Sequence, residues 1–205
     1  MRSASAFLLS GTFAALAVLV AVGSFTGLDQ WAIDHLMPGG TFTGEDSGIV
    51  EALVPLYGVH WDNAWDVAAN VVTLPAAFAI SLVLVAWRSR PLAVMLVLAT
   101  AVETLCKHVL DRPALYDGAQ HITGFDSSFP SGHTLRTIIL AATFLGPWSL
   151  AWAGASLILL ELAGWHTPSD IAGGIALGLL ALLGARGAAR ALRARGLLRG
   201  RAARR

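Results

Sequence analysis

The sequence predicts an all-α fold: a polytopic membrane protein with six transmembrane helices, four to six of them forming the core, and an outer interfacial loop region. Three observations carry this. Apolar residues make up 56% of the 205-residue chain and charged residues only 13%, against about 25% charged in a typical soluble domain. The apolar residues gather into six runs near the ~20 residues that a bilayer core of about 30 Å requires of a helix. The charges sort by sign into alternate connections. The same composition excludes other classes. Its hydrophobicity excludes disorder, and a single cysteine excludes a disulfide framework, an iron–sulfur cluster and a Cys-rich zinc site.

The first span covers residues 6–28 and holds no charge. It reads as a span and not as a cleaved leader, because the apolar run is long and no clean A-x-A site follows. Residues 29–66 form a long outer loop. Its turns fall at Pro38-Gly39-Gly40 and at 44–48, and its short apolar stretches carry Trp31, Trp61 and Trp65, suited to headgroup level. The second span covers 67–87 and the third 92–110, the latter with Glu103 and Lys107 near its end. The fourth, 133–147, is short; the fifth covers 150–165 and the sixth 171–185. A basic tail, 186–205, closes the chain with eight arginines. No internal repeat or linker divides it, so residues 1–205 form a single domain.

Arg2, Arg88, Arg90 and the tail share one side of a six-span arrangement and hold eleven of the fourteen basic residues. The positive-inside rule places that side, and both termini, in the cytoplasm of a cell (plasma) membrane protein. The tail then fixes topology and touches anionic membrane lipid; no nucleic-acid partner is expected.

Polar residues in spans are costly and point to function. Here they gather in three places on the predicted outer face. Lys107-His108-Val109-Leu110-Asp111-Arg112-Pro113 ends span three. Pro130-Ser131-Gly132-His133-Thr134-Leu135-Arg136 enters span four. His166-Thr167-Pro168-Ser169-Asp170 enters span six. In the second, a helix N-terminus offers free N–H groups to an anion. Ser131 adds a hydroxyl, and His133 can exchange a proton near neutral pH. Arg136 shares the His133 face at i,i+3. Taken alone, Ser131 reads more readily as an ordinary helix cap. In the third, Thr167-x-x-Asp170 with Pro168 is a standard helix start, yet Asp170 is also placed to orient His166. Lys107 can snorkel or bind an anion, and it can pair with Glu103 at i,i+4. Cations, a helix N-terminus, two histidines and a carboxylate together suit phosphoryl transfer without a metal.

These residues resemble the type 2 phosphatidic acid phosphatase (PAP2) superfamily of membrane lipid phosphatases, whose pattern is K-x6-R-P, then P-S-G-H, then S-R-x5-H-x3-D. Pro130-Ser131-Gly132-His133 and His166-x3-Asp170 are intact, Lys107 stands where the first motif begins, and the motif region covers 107–170. The resemblance implies His166 as a nucleophile forming a phosphohistidine, Asp170 as its orienting group and His133 as the acid for the leaving group. It implies Lys107, Ser131 and Gly132 as phosphate ligands and no cofactor or metal. Two motif arginines are absent, their positions being Ala114 and Leu160. Arg112 and Arg136 are the expected replacements. The implied activity is hydrolysis of a lipid phosphomonoester or isoprenoid pyrophosphate at the outer leaflet. A catalytically silent lipid-phosphate binder and a phosphoryl or headgroup transferase are the alternatives.

Overall fold

The computed structural model describes residues 2–36 and 78–195. Of the outer loop expected at 29–66, residues 29–36 are helical and 37–66 lie outside the described residues, as do the start of the second span at 67–77 and the tail from 196. What is described is mostly helical. The helices are α1 (Arg2–Ala21), α2 (Thr26–Leu36), α3 (Phe78–Arg88), α4 (Arg90–Val109), α5 (Gly132–Phe144), α6 (Ser149–Leu162) and α7 (Pro168–Ala194).

Local chemistry sets the boundaries. Ser89 caps α4 by accepting from the Leu92 N–H at 3.4 Å, and Pro91 occupies its first turn. The Pro113 ring would clash with the carbonyl of Val109 if the helix continued, and α4 ends there, with Leu110 extended. The chain therefore leaves this helix at Leu110, where the sequence places the end of span three. Thr167 and Asp170 form a capping box around Pro168 at the start of α7.

The first apolar run is not one straight helix to Leu28. α1 ends at Ala21, and α2 departs at 78° to it, through an elbow where Gly23 has φ +77°. A second departure from the all-α expectation is a small antiparallel ribbon, β1 (Tyr116–Asp117) on β2 (Gln120–His121), turning at Gly118.

α7 is the central helix and packs against α1, α4 and α5; α3 lies on α4 and α5, and α6 on α5. Leu92, Leu96, Leu135, Ile139, Leu177 and Ala181 fill the shared core. Gly174 lets α5 approach closely: a Cβ there would lie 2.6 Å from the Ser131 carbonyl oxygen. α4 and α7 run antiparallel, with Met95 against Gly184. The C-terminal end of α4 thus meets the N-terminal ends of α5 and α7, while Arg88, Arg90 and Arg186 to Arg195 fall at the other end.

Among the described residues, α4 and α7 are long and apolar enough to cross a membrane, and the bent α1–α2 pair is a third candidate span. α5 and α6, with 13 and 14 residues, are shorter than a perpendicular span needs.

Candidate active site

The three polar clusters of the sequence converge at one end of the helices. His166 lies between α6 and α7, in the short loop that α7's capping box holds in place. Its Nε2 is 3.1 Å from Nδ1 of His133, in the first turn of α5. Its Nδ1 faces Asp170 Oδ2 at 3.8 Å, within ion-pair reach and beyond hydrogen-bond length. Both rings are largely enclosed, and Trp165 packs at 5.1 Å from the His133 ring.

Backbone bonds tie the two histidine-bearing segments together. The Ser131 N–H donates to the Asp170 carbonyl at 3.0 Å. The Ser131 hydroxyl accepts from the Thr134 N–H at 3.1 Å, so it acts as the α5 cap. Gly132 packs against Glu103 and the predicted Arg136: a Cβ there would collide with the Glu103 carboxylate and lie 2.6 Å from Arg136 Nη2.

The basic residues fall into two groups. Lys107 Nζ pairs with Glu103 Oε1 at 3.0 Å, the i,i+4 contact expected from the sequence, and Arg136 Nη1 meets the other oxygen, Oε2, at 3.4 Å. Arg112 sits elsewhere. Its Nη2 donates to Asp29 Oδ2 at 2.6 Å and its Nη1 to Asp170 Oδ1 at 3.0 Å. Nη1 also approaches Ser128 Oγ at 3.3 Å and Thr167 Oγ1 at 3.4 Å. Arg112 thus reaches the site from behind, as a partner of Asp170, and not as a free cation beside the histidines.

Burial holds the His166 imidazole below the ordinary histidine range, against the pull of the Asp170 carboxylate, which favours the charged ring. This favours the neutral ring at pH 7. A proton on Nδ1, the nitrogen that faces Asp170, leaves the Nε2 lone pair toward His133 Nδ1.

Sequence reasoning missed Asp29, which is fully buried and accepts from Arg112 and from both the N–H and hydroxyl of Ser169. It is the first charge after the uncharged first span, a signal available but unread. Thr167 and Ser128 were likewise not linked to Arg112. Among the described residues no group of three or more His, Cys, Asp or Glu is arranged to hold a metal ion.

No family model, curated protein or solved structure matches the chain. The functional reading therefore rests on the residues themselves.

Proposed function

We propose that the chain is a six-span membrane lipid phosphatase of the PAP2 type, acting at the outer leaflet on a lipid phosphomonoester or isoprenoid pyrophosphate. The observation that carries the reading is the His133–His166–Asp170 alignment at a helix N-terminus. His166 presents a neutral Nε2 toward His133, and Asp170 faces the opposite nitrogen. The six-span orientation draws support from the arginines, which collect at the end of the helices remote from this site.

The chemistry proceeds in two steps. A phosphoryl group enters between the histidine rings, displacing their mutual hydrogen bond. His166 Nε2 attacks phosphorus; the N–P bond forms as the P–O bond to the lipid breaks. His133, protonated on both ring nitrogens once the phosphate anion lies beside it, gives one of these protons to the leaving lipid oxygen and becomes neutral. Asp170 stabilises the positive charge that grows on His166. Water then attacks phosphorus, the N–P bond breaks, and His133 takes the water's proton. Phosphate oxygens are held by the free N–H groups of the first α5 turn and by Lys107 and Arg136.

One observation favours a second reading, a silent lipid-phosphate binder. Arg112 pairs with two buried carboxylates, and the positions of the motif arginines are Ala114 and Leu160. The deciding experiment is phosphate release by the purified protein from a panel of lipid phosphates with EDTA present, beside His166→Ala. The phosphatase reading expects EDTA-resistant release that vanishes in the variant, with an acid-labile phosphoprotein trapped in the unmodified chain. Substrate binding without release, in folded protein, selects the binder.

A further inference from the structure

Asp29 belongs to none of the motifs, yet it is the hub of the most buried polar cluster described. The elbow between α1 and α2 brings it there. Gly23 takes a left-handed backbone conformation, and a Cβ on it would lie 2.7 Å from Pro113 Cγ. Arg112-Pro113 is thus seated in the elbow. Gln30 holds the same segment from α2, donating to the Tyr116 carbonyl at 2.7 Å and accepting from its N–H at 3.0 Å. Asp29 then meets Arg112 on one side and the first turn of α7 on the other. Its Oδ2 takes the Ser169 hydroxyl at 2.6 Å and its Oδ1 the Ser169 N–H at 3.0 Å.

The charges in this cluster form a line: Asp29, Arg112, Asp170, then His166. Arg112 alone on Asp170 would neutralise the carboxylate that His166 faces. Asp29 supplies the second negative charge, so the three together carry one net negative charge behind the imidazole. We propose that Asp29 is a positioning residue for His166, sharing Arg112 with Asp170 so that Asp170 keeps its charge and its orientation toward the ring. The catalytic meaning of this rests on the phosphatase reading; the electrostatic coupling does not.

The test is titration of His166 by NMR in detergent-solubilised full-length protein, with isotope-labelled histidine and the resonance assigned by its loss in His166→Ala. Other groups facing His166 are His133 on α5 and Lys107 and Glu103 on α4; these stay unchanged. Glu161 on α6 faces Asp29 and Asp170, so all measurements are repeated in a Glu161→Gln background. Asp29→Asn keeps the shape and removes the charge. The titration midpoint of His166 is expected to fall by about one pH unit, as for loss of a nearby opposite charge. Asp29→Asn/Arg112→Gln restores the net charge behind the ring and is expected to return the midpoint to the unmodified value. If Asp29→Asn melts earlier but leaves the midpoint in place, Asp29 is a structural staple and the proposal fails. If Asp29→Asn does not fold, the double variant decides: an unmodified midpoint supports the coupling and a displaced one overturns it. Turnover is measured separately. An active protein whose kcat falls about tenfold in Asp29→Asn at constant KM supports positioning, and an unchanged kcat overturns it. A protein that releases no phosphate refutes the phosphatase reading while the titration still judges the coupling.

Discussion

Arg112 and Arg136 approach the histidine pair from different sides and are held in different ways. The Arg112 side chain is 4% exposed and is gripped by two carboxylates that are themselves completely buried. The Arg136 side chain is 13% exposed, makes one long contact to Glu103, and shares that carboxylate with Lys107, which is 31% exposed. The contrast separates a frame from a contact that can be exchanged. Moving Arg112 toward a phosphate would strand Asp29 and Asp170 without their cation, at a cost of several kcal/mol. Moving Arg136 leaves Glu103 with Lys107, whose ammonium can touch the carboxylate and a phosphate oxygen together. Of the two arginines proposed as substitutes for Ala114 and Leu160, only Arg136 is held in a way that suits ligand exchange.

The largest expected effect follows from this asymmetry. Arg112→Ala leaves two buried carboxylates without their shared cation and is expected to cost about 3–5 kcal/mol, a large share of the 5–15 kcal/mol typical of a folded domain. Thermal unfolding in detergent should show it directly. Arg136→Ala should cost about 1 kcal/mol in the same assay, the price of one hydrogen bond. Equal melting temperatures for the two variants would erase the distinction between frame and exchangeable contact. Activity should show the reverse emphasis. Arg136→Ala, still folded, is expected to lose about 10²–10³ in kcat/KM, the cost of one transition-state donor. Unchanged phosphatase rates would remove Arg136 from the site.

The two clusters also differ in how far the sequence exposes them. The Glu103–Lys107 pair is readable from i,i+4 spacing on one helix, and the α7 capping box from Thr167-Pro168-Ser169-Asp170, because both are local. Arg136 meeting Glu103 needs α5 against α4, which no spacing encodes. The Asp29–Arg112–Ser169 cluster is harder still. It depends on the elbow at Gly23, and the uncharged run through Leu28 gives a continuous span no reason to break there. Burial of Arg112 among Asp29, Ser128, Thr167 and Asp170 is assembled from four separate stretches of chain. A pattern with Arg two residues early therefore looks like a displaced phosphate ligand, whereas the fold gives that arginine a different set of partners.

pH offers a test on the His166 side of the comparison. Burial places the folded-state midpoint of His166 below the ordinary value of about 6.5. The unfolded chain then binds more protons than the folded one between those two values. Stability contributed by the neutral ring is complete above about pH 6.5 and is lost as pH falls toward the folded midpoint. Turnover that needs a neutral nucleophile should follow the same direction, with its acidic limb below pH 6.5. An acidic limb above 7 in kcat/KM would contradict a buried, neutral His166 in the free protein.

The smallest effect is expected at Glu103, and it bears on why Arg136 is held loosely. The Glu103 carboxylate stands over Gly132, against the first turn of α5, where the proposal seats the phosphate oxygens. It thus holds the position of the substrate anion and occupies both cations that the substrate needs. Glu103→Gln keeps the side chain's size and its capacity to accept from Lys107, and it removes a negative charge from the phosphate's path. KM for a lipid phosphate and the inhibition constant for inorganic phosphate should both fall, by about three- to tenfold, corresponding to ~1 kcal/mol for a charge-assisted contact no longer in competition. kcat should change little, because the carboxylate competes with bound phosphate in the ground state and the transition state alike. A rise in both constants would mean that Glu103 aims Lys107 and Arg136 at the phosphate, making the second cluster a frame as well.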